Sequence, residues 1–180
     1  MFFSLTTQIL TYHFIFIGKN SCKGDKFMIN LTEKERFIIE DLKSQEKLCI
    51  QKYEFYEEMA YDPELVSLFT KIKESEQKHL QSLNDVLNGT VAEVDTNDNS
   101  GQMYTPKAAY HQDGNKMEKE HDSFLCTDAI TMEKYVSSAY NFDLFQFGNS
   151  KLRKLLNDIE TEEQNHAEML YKYKKANMMA

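Results

Sequence analysis

Two short stretches, Glu76-Gln77-Lys78-His79 and Glu163-Gln164-Asn165-His166, constrain this chain more than any other feature. Both read Glu-x-x-His, and they lie 87 residues apart. Thirty residues before each stands a further Glu-Lys, at Glu46-Lys47 and Glu133-Lys134. Offset by 87, positions 46–83 contain eleven identities in 38 without a gap, among them Tyr53/Tyr140, Phe55/Phe142, Leu65/Leu152, Leu68/Leu155, Ile72/Ile159 and Leu83/Leu170. The pattern is an internal duplication of a helix pair.

Spacing supplies the helices. Thr32-x-x-Glu35 is a capping box, in which a hydroxyl and a carboxylate satisfy the first free N–H groups of a helix. After it, Leu42, Glu46, Cys49, Tyr53, Tyr56 and Ala60 recur at steps of three and four, one face of an α-helix. Asp62-Pro63-Glu64 is a helix start, with Asp62 capping and Pro63 at the first turn. Leu65, Leu68, Ile72, Glu76, His79, Leu83 and Val86 share the next face, and Asn88-Gly89 ends it. The third predicted helix begins near Asp122-Ser123 and runs to Phe147, with Cys126, Ala129, Glu133, Val136, Tyr140 and Leu144 on its face. The fourth follows Gly148-Asn149-Ser150 and carries Leu152, Leu155, Ile159, Glu163, His166, Leu170 and Tyr173.

The links inside each pair are short, so the paired helices are antiparallel neighbours. Glu46 and Glu76 then lie ~24 and ~20 Å from their shared turn, at ~1.5 Å per residue, and face each other at one height. The predicted fold class is all-α: a four-helix bundle of two duplicated antiparallel pairs, about 32–87 and 123–175. A polar crossover, 88–121, runs back along the bundle. His111 and His121 fall in that crossover and are expected in solvent.

Such a bundle buries Glu46, Glu76, His79, Glu133, Glu163 and His166 in one layer. Four carboxylates cannot all ionise in a low-dielectric interior without compensation. Two divalent cations supply it, with two imidazoles completing the coordination. This donor set suits iron or manganese, and zinc is compatible. The alternative for the same residues is a protonated hydrogen-bond network without metal. Tyr53 and Tyr140 lie on the same faces, either as core residues or as hydrogen-bond partners and electron donors behind the ligands. Glu54, Glu57, Glu58, Glu74, Glu162 and Glu168 lie off the faces and read as solvated surface.

Composition trims the function classes. The 180 residues are 41% hydrophobic, enough for one core, and the net charge of −8 offers no basic stripe for nucleic acid. Cys22, Cys49 and Cys126 form no CxxC, which argues against a disulfide framework or a zinc site. Residues 1–18 carry no charged residue. They also lack a basic leader and are interrupted by polar groups, so they suit neither a signal peptide nor a membrane span. Residues 1–27 are expected to be a non-native or disordered extension, with Met28 the working start and 28–180 the bundle domain.

At these residues the chain resembles a known group. The six-ligand pattern is similar to the ferritin-like/rubrerythrin superfamily. The run Asp122–Asn141 (DSFLCTDAITMEKYVSSAYN) and the Glu-Lys…Tyr and Leu-Phe…Ile…Glu-Gln-x-His wording resemble the CotF-type spore coat proteins. The resemblance implies terminal ligands at Glu46 and Glu133, bridging ligands at Glu76 and Glu163, and a metal-capping histidine at His79 and His166. It also implies synthesis in the cytoplasm, assembly on the spore coat, and partners among coat proteins or other copies of itself. Without a CxxC pair, and with Val136 where rubrerythrins carry another carboxylate, rubrerythrin-type peroxide reduction is not implied. Two function classes follow: a spore coat component with a dimetal bundle, or a soluble dimetal oxidoreductase (manganese-catalase-like, ferroxidase-like or peroxidase-like). A helical partner-binding scaffold without metal is the third.

Overall fold

The computed structural model describes residues 27–94, 98–110 and 115–180. The expectation for residues 1–26, and the one for His111, lie outside the described residues.

Four long helices carry the chain: α1 (Glu33–Met59), α2 (Pro63–Leu87), α4 (Lys116–Asp143) and α5 (Ser150–Ala176). A single short turn, α3 (Ser100–Met103), lies between the pairs. Both halves of the Thr32/Glu35 capping box are made. Asp62 caps α2 and Asn149, its counterpart 87 residues on, caps α5. Each accepts a backbone N–H at the positive end of the helix dipole. Asn88 closes α2, and Gly89 follows at φ 81°, a left-handed conformation that favours glycine.

α1 packs chiefly on α2 and α4 on α5; α1 also touches α4, and α2 touches α5. The predicted faces meet in one core around Ile39, Leu42, Tyr53, Leu65, Ile72, Leu83, Leu152, Ile159 and Leu170. Phe69, off the predicted face of α2, is also fully buried, tilted against the rings of Tyr53 and Tyr56.

The crossover is more structured than its composition indicates. Thr90–Val91 (β2) pairs antiparallel with Phe27–Met28 (β1). α3 lies close on α5: a Cβ at Gly101 would sit 2.7 Å from Glu168 Oε2 and 3.1 Å from Asn165 Cα, so a larger residue there would have to displace its neighbours. Lys172 Nζ donates to the Gly101 and Gln102 carbonyls at 2.6 and 3.0 Å. Asn177, buried at the end of α5, accepts from the Ala109 and Tyr110 N–H groups.

Two boundaries differ from expectation. α4 begins at Lys116 rather than near Asp122, because the Asn115 side chain caps Met117 and Glu118 N–H in a charged first turn that hides the apolar period. His121 is therefore on a helix, not in a solvated loop, and its ring meets Tyr61 edge-on with centroids 5.3 Å apart. At the other end α4 stops at Asp143, and Leu144–Gln146 tightens into a 3₁₀ turn.

Asp122, expected as a helix start, is fully buried inside α4. It accepts from Tyr61 N–H and Asp62 N–H at 3.0 Å each and from the Tyr110 hydroxyl at 2.7 Å. Tyr173 donates to Asp62 at 2.6 Å. This network ties the α1–α2 turn to the second pair and to the crossover, and so fixes the height at which the two Glu-x-x-His stretches face each other.

Candidate metal centre

All six residues singled out from the sequence are in the core, between 0% and 3% exposed. Their ligand atoms form two groups: Glu46, Glu76, His79 and Glu163; and Glu76, Glu133, Glu163 and His166. Within each group the atoms lie within 4.8 Å of one another, and Glu76 and Glu163 belong to both.

The arrangement is close to two-fold. His79 Nδ1 lies 3.0 Å from Glu163 Oε1, 3.5 Å from Glu76 Oε2 and 3.7 Å from Glu46 Oε2. His166 Nδ1 lies 3.0 Å from Glu76 Oε1, 3.4 Å from Glu133 Oε2 and 4.0 Å from Glu163 Oε2. Each Nδ1 thus lies nearest the central carboxylate of the other repeat. The imidazole rings stack with centroids 5.9 Å apart.

The tyrosines cross over as well. Tyr53 of α1 donates to Glu133 of α4, and Tyr140 of α4 donates to Glu46 of α1. Each leaves one oxygen of its carboxylate turned inward.

The inward atoms have no hydrogen-bond partner. Glu46 Oε2, both oxygens of Glu76 and of Glu163, Glu133 Oε2, His79 Nδ1 and His166 Nδ1 are buried and unsatisfied. They approach one another closely but are not aligned for hydrogen bonds. Buried polar groups are almost always satisfied, so eight orphaned atoms around one point need an occupant or protons.

Electrostatics says the same. Burial raises Glu46 to about 7, against the pull of His79. Burial, then the charges of Glu76 and Glu133, pushes Glu163 far above the usual carboxylate range. Burial would also raise Glu76, but His166 and His79 outweigh it and bring it down. Burial would lower His166, yet Glu133 and Glu76 facing it raise it to about 9. His79 is raised in the same way, by Glu162, Glu163, Glu46 and Glu76. Without a cation, the cluster holds itself together with protons.

One participant was missed. Glu162, assigned to the solvated surface, is half-buried and lies 2.9 Å from His79 Nε2, and it accepts from Ser75 Oγ at 3.0 Å. It grips the outer nitrogen of His79 and so turns Nδ1 inward. Its position directly before Glu163 and four residues before His166 was the available signal. Glu57, also assigned to solvent, is instead partly buried and paired with Lys73. Cys49 and Cys126 are free and buried, and burial raises both thiols above their usual range, as expected of inert core cysteines.

These features define a mostly helical protein with a buried acid–histidine cluster. A family model, the Coat F domain, matches residues 121–178, which is α4 from His121 onward and the whole of α5. That match points to a spore coat component. No curated protein and no solved structure matches the chain. No described helix is long and apolar enough to cross a membrane.

Proposed function

We propose that this chain is a spore coat component whose residues 28–180 form a ferritin-like bundle of two duplicated helix pairs, holding two divalent cations. One cation would be held by Glu46 and His79, the other by Glu133 and His166, with Glu76 and Glu163 shared between them. The observation that carries this reading is the set of orphaned inward atoms. Four carboxylates and two imidazole nitrogens with one open centre fit two dications, and the charges then cancel. The donor chemistry favours iron or manganese, with zinc compatible. Tyr53 and Tyr140 hold the terminal carboxylates in place, and Glu162 fixes the His79 tautomer.

The coat assignment is supported by the Coat F match and by the surface. Phe37, Leu48 and Phe55 on α1, and Phe124, Tyr135 and Phe142 on α4, occupy the same three positions of the repeat. All six are between 52% and 74% exposed. Duplicated apolar stripes of this kind suit packing against other coat proteins or further copies of this chain.

The test is metal analysis of protein purified without chelators, beside a Glu76→Ala/Glu163→Ala double variant. About two equivalents are expected in the parent and none in a variant that keeps its helical circular dichroism. Equal metal in both overturns the site. For the coat, the protein is expected only in sporulating cells and in purified spores.

A second reading, a dimetal oxidoreductase acting on peroxide or oxygen, is favoured by the tyrosine hydroxyl on each terminal carboxylate. A bound metal pair would supply the redox chemistry; the tyrosines would hold or release a proton at Glu46 and Glu133. Turnover of hydrogen peroxide by the metal-loaded protein would establish it, and its absence would leave the coat role alone.

A further inference from the structure

The two cation positions sit in repeats that match at every ligand but not around them. A groove of about 480 Å³ between α4 and α5 is lined by Glu133, Ser137, Glu163, Gln164 and Ala167. It runs along the outside of the second pair beside Glu133 and Glu163, whose carboxylates are themselves buried. In the first repeat the positions equivalent to Ser137 and Ala167 are Ile50 and Leu80. Two small residues line the groove of the second pair where the first repeat carries two large ones.

An independent difference lies behind the histidines. Glu162 grips His79 from outside at 2.9 Å. The residue equivalent to Glu162 in the first repeat is Ser75, and its hydroxyl also turns to Glu162. Among the described residues no carboxylate oxygen lies within 4.0 Å of His166 Nε2. A second groove, about 470 Å³ between α2, α5 and the crossover, is lined by Ser75, Asp98, Glu162 and His166. Between them the grooves are lined by Glu133, His166 and the shared Glu163, with Ser75 and Glu162 on the one beside the crossover; neither is lined by Glu46 or His79.

We infer that the two positions are inequivalent: the Glu133/His166 position is the open one, exchanging its ion and admitting small ligands of water or azide size through the Ser137/Ala167 window, while the Glu46/His79 position is closed and structural. This rests on the metal-pair reading above. The physical reasons are access and basicity. A carboxylate on the outer nitrogen raises the donor strength of a ligating histidine and fixes its ring. Among the described residues His79 has a carboxylate at hydrogen-bond distance from its outer nitrogen, whereas Asp98 and Glu162 act on His166 only through their charge, and the two grooves run beside Glu133 and His166.

The test is release of cobalt(II) from doubly loaded, full-length protein into excess chelator, followed by absorbance. Two phases of one ion each are expected. Ala167→Leu and Ser137→Ile, each installing the residue of the first repeat, slow the fast phase severalfold and leave the slow phase alone. Leu80→Ala, the reverse change, speeds the slow phase, so the inference does not depend on the tighter variants folding well. Glu162→Gln lowers affinity at the slow position about 10–100-fold and brings the two phases together. Azide perturbs the spectrum of the fast-exchanging ion only, and Ala167→Leu suppresses that change. Release in one phase, or two phases insensitive to Ala167→Leu, Ser137→Ile and Leu80→Ala alike, overturns the inference and leaves the metal pair standing. A parent protein that binds no cobalt overturns the metal-pair reading itself.

Discussion

The first helix pair and the second are the same device surrounded differently. Leu65 and Leu152, Ile72 and Ile159, and Leu83 and Leu170 fill matching places in one core. Glu46 and Glu133, Glu76 and Glu163, and His79 and His166 meet at its centre. Around that centre the pairs part. The first repeat carries Ile50 and Leu80 where the second carries Ser137 and Ala167, and Glu162 contacts His79 while its counterpart Ser75 turns to Glu162 instead. The Coat F match covers only the second pair. The residues that face the cluster match between the two pairs, and those around them do not.

The sharpest way to break the comparison is at the shared carboxylates. Glu76→Gln and Glu163→Gln are each expected to abolish both cation positions, whereas Glu46→Gln and Glu133→Gln each abolish one. Metal stoichiometry reads the difference directly, and loss of a single ion from Glu163→Gln would show that the centre is not shared. Next come the matched core leucines. Leu65→Ala and Leu152→Ala remove fully buried side chains and are expected to cost about 2–5 kcal/mol each, measured by denaturant unfolding of metal-free protein. Similar values support one common core; a much smaller cost at Leu152 would mean that the second pair is looser.

Proton linkage gives a third probe. Burial raises Glu46 from 4.5 to about 7, and facing carboxylates raise His166 from 6.5 to about 9. Both groups bind more protons folded than unfolded. Their stabilisation of the metal-free protein is complete below the unfolded values and is lost as pH rises through 7 and 9. A bound metal pair would expel these protons, so its affinity is expected to rise over the same range. The melting temperature of chelated protein is expected to fall between pH 5 and 9 while the metal affinity climbs. Parallel trends would contradict the proton-held cluster. The smallest effect is at the equivalent caps. Asn149→Ala is expected to cost about 0.5–2 kcal/mol. Asp62→Ala should cost more, because Asp62 also accepts from the buried Tyr173 hydroxyl. Equal melting shifts would remove that difference.

Much of the fold was legible because polar residues that interrupt an apolar helical face are conspicuous. Glu46 and Glu133 stood out among Leu42, Cys49, Cys126 and Ala129, and the duplication set their heights. The caps at Thr32 and Asp62 were readable from local chemistry alone. Glu162 was not, because helical spacing places it off the core face, and only the close approach of α2 brings His79 to it. The early start of α4 was hidden by charged residues in its first turn. Asp122 was misread because a carboxylate at a helix start and one inside a core look alike until its partners Tyr61, Asp62 and Tyr110 are known.

The crossed tyrosines carry a consequence for folding. Tyr53 reaches into the other repeat to hold Glu133, and Tyr140 reaches back to hold Glu46. Neither half contains a finished set of contacts. Each pair lends its tyrosine to a carboxylate of the other, so neither pair completes its own cluster without its neighbour. Cut in the crossover, the halves are expected to find each other again.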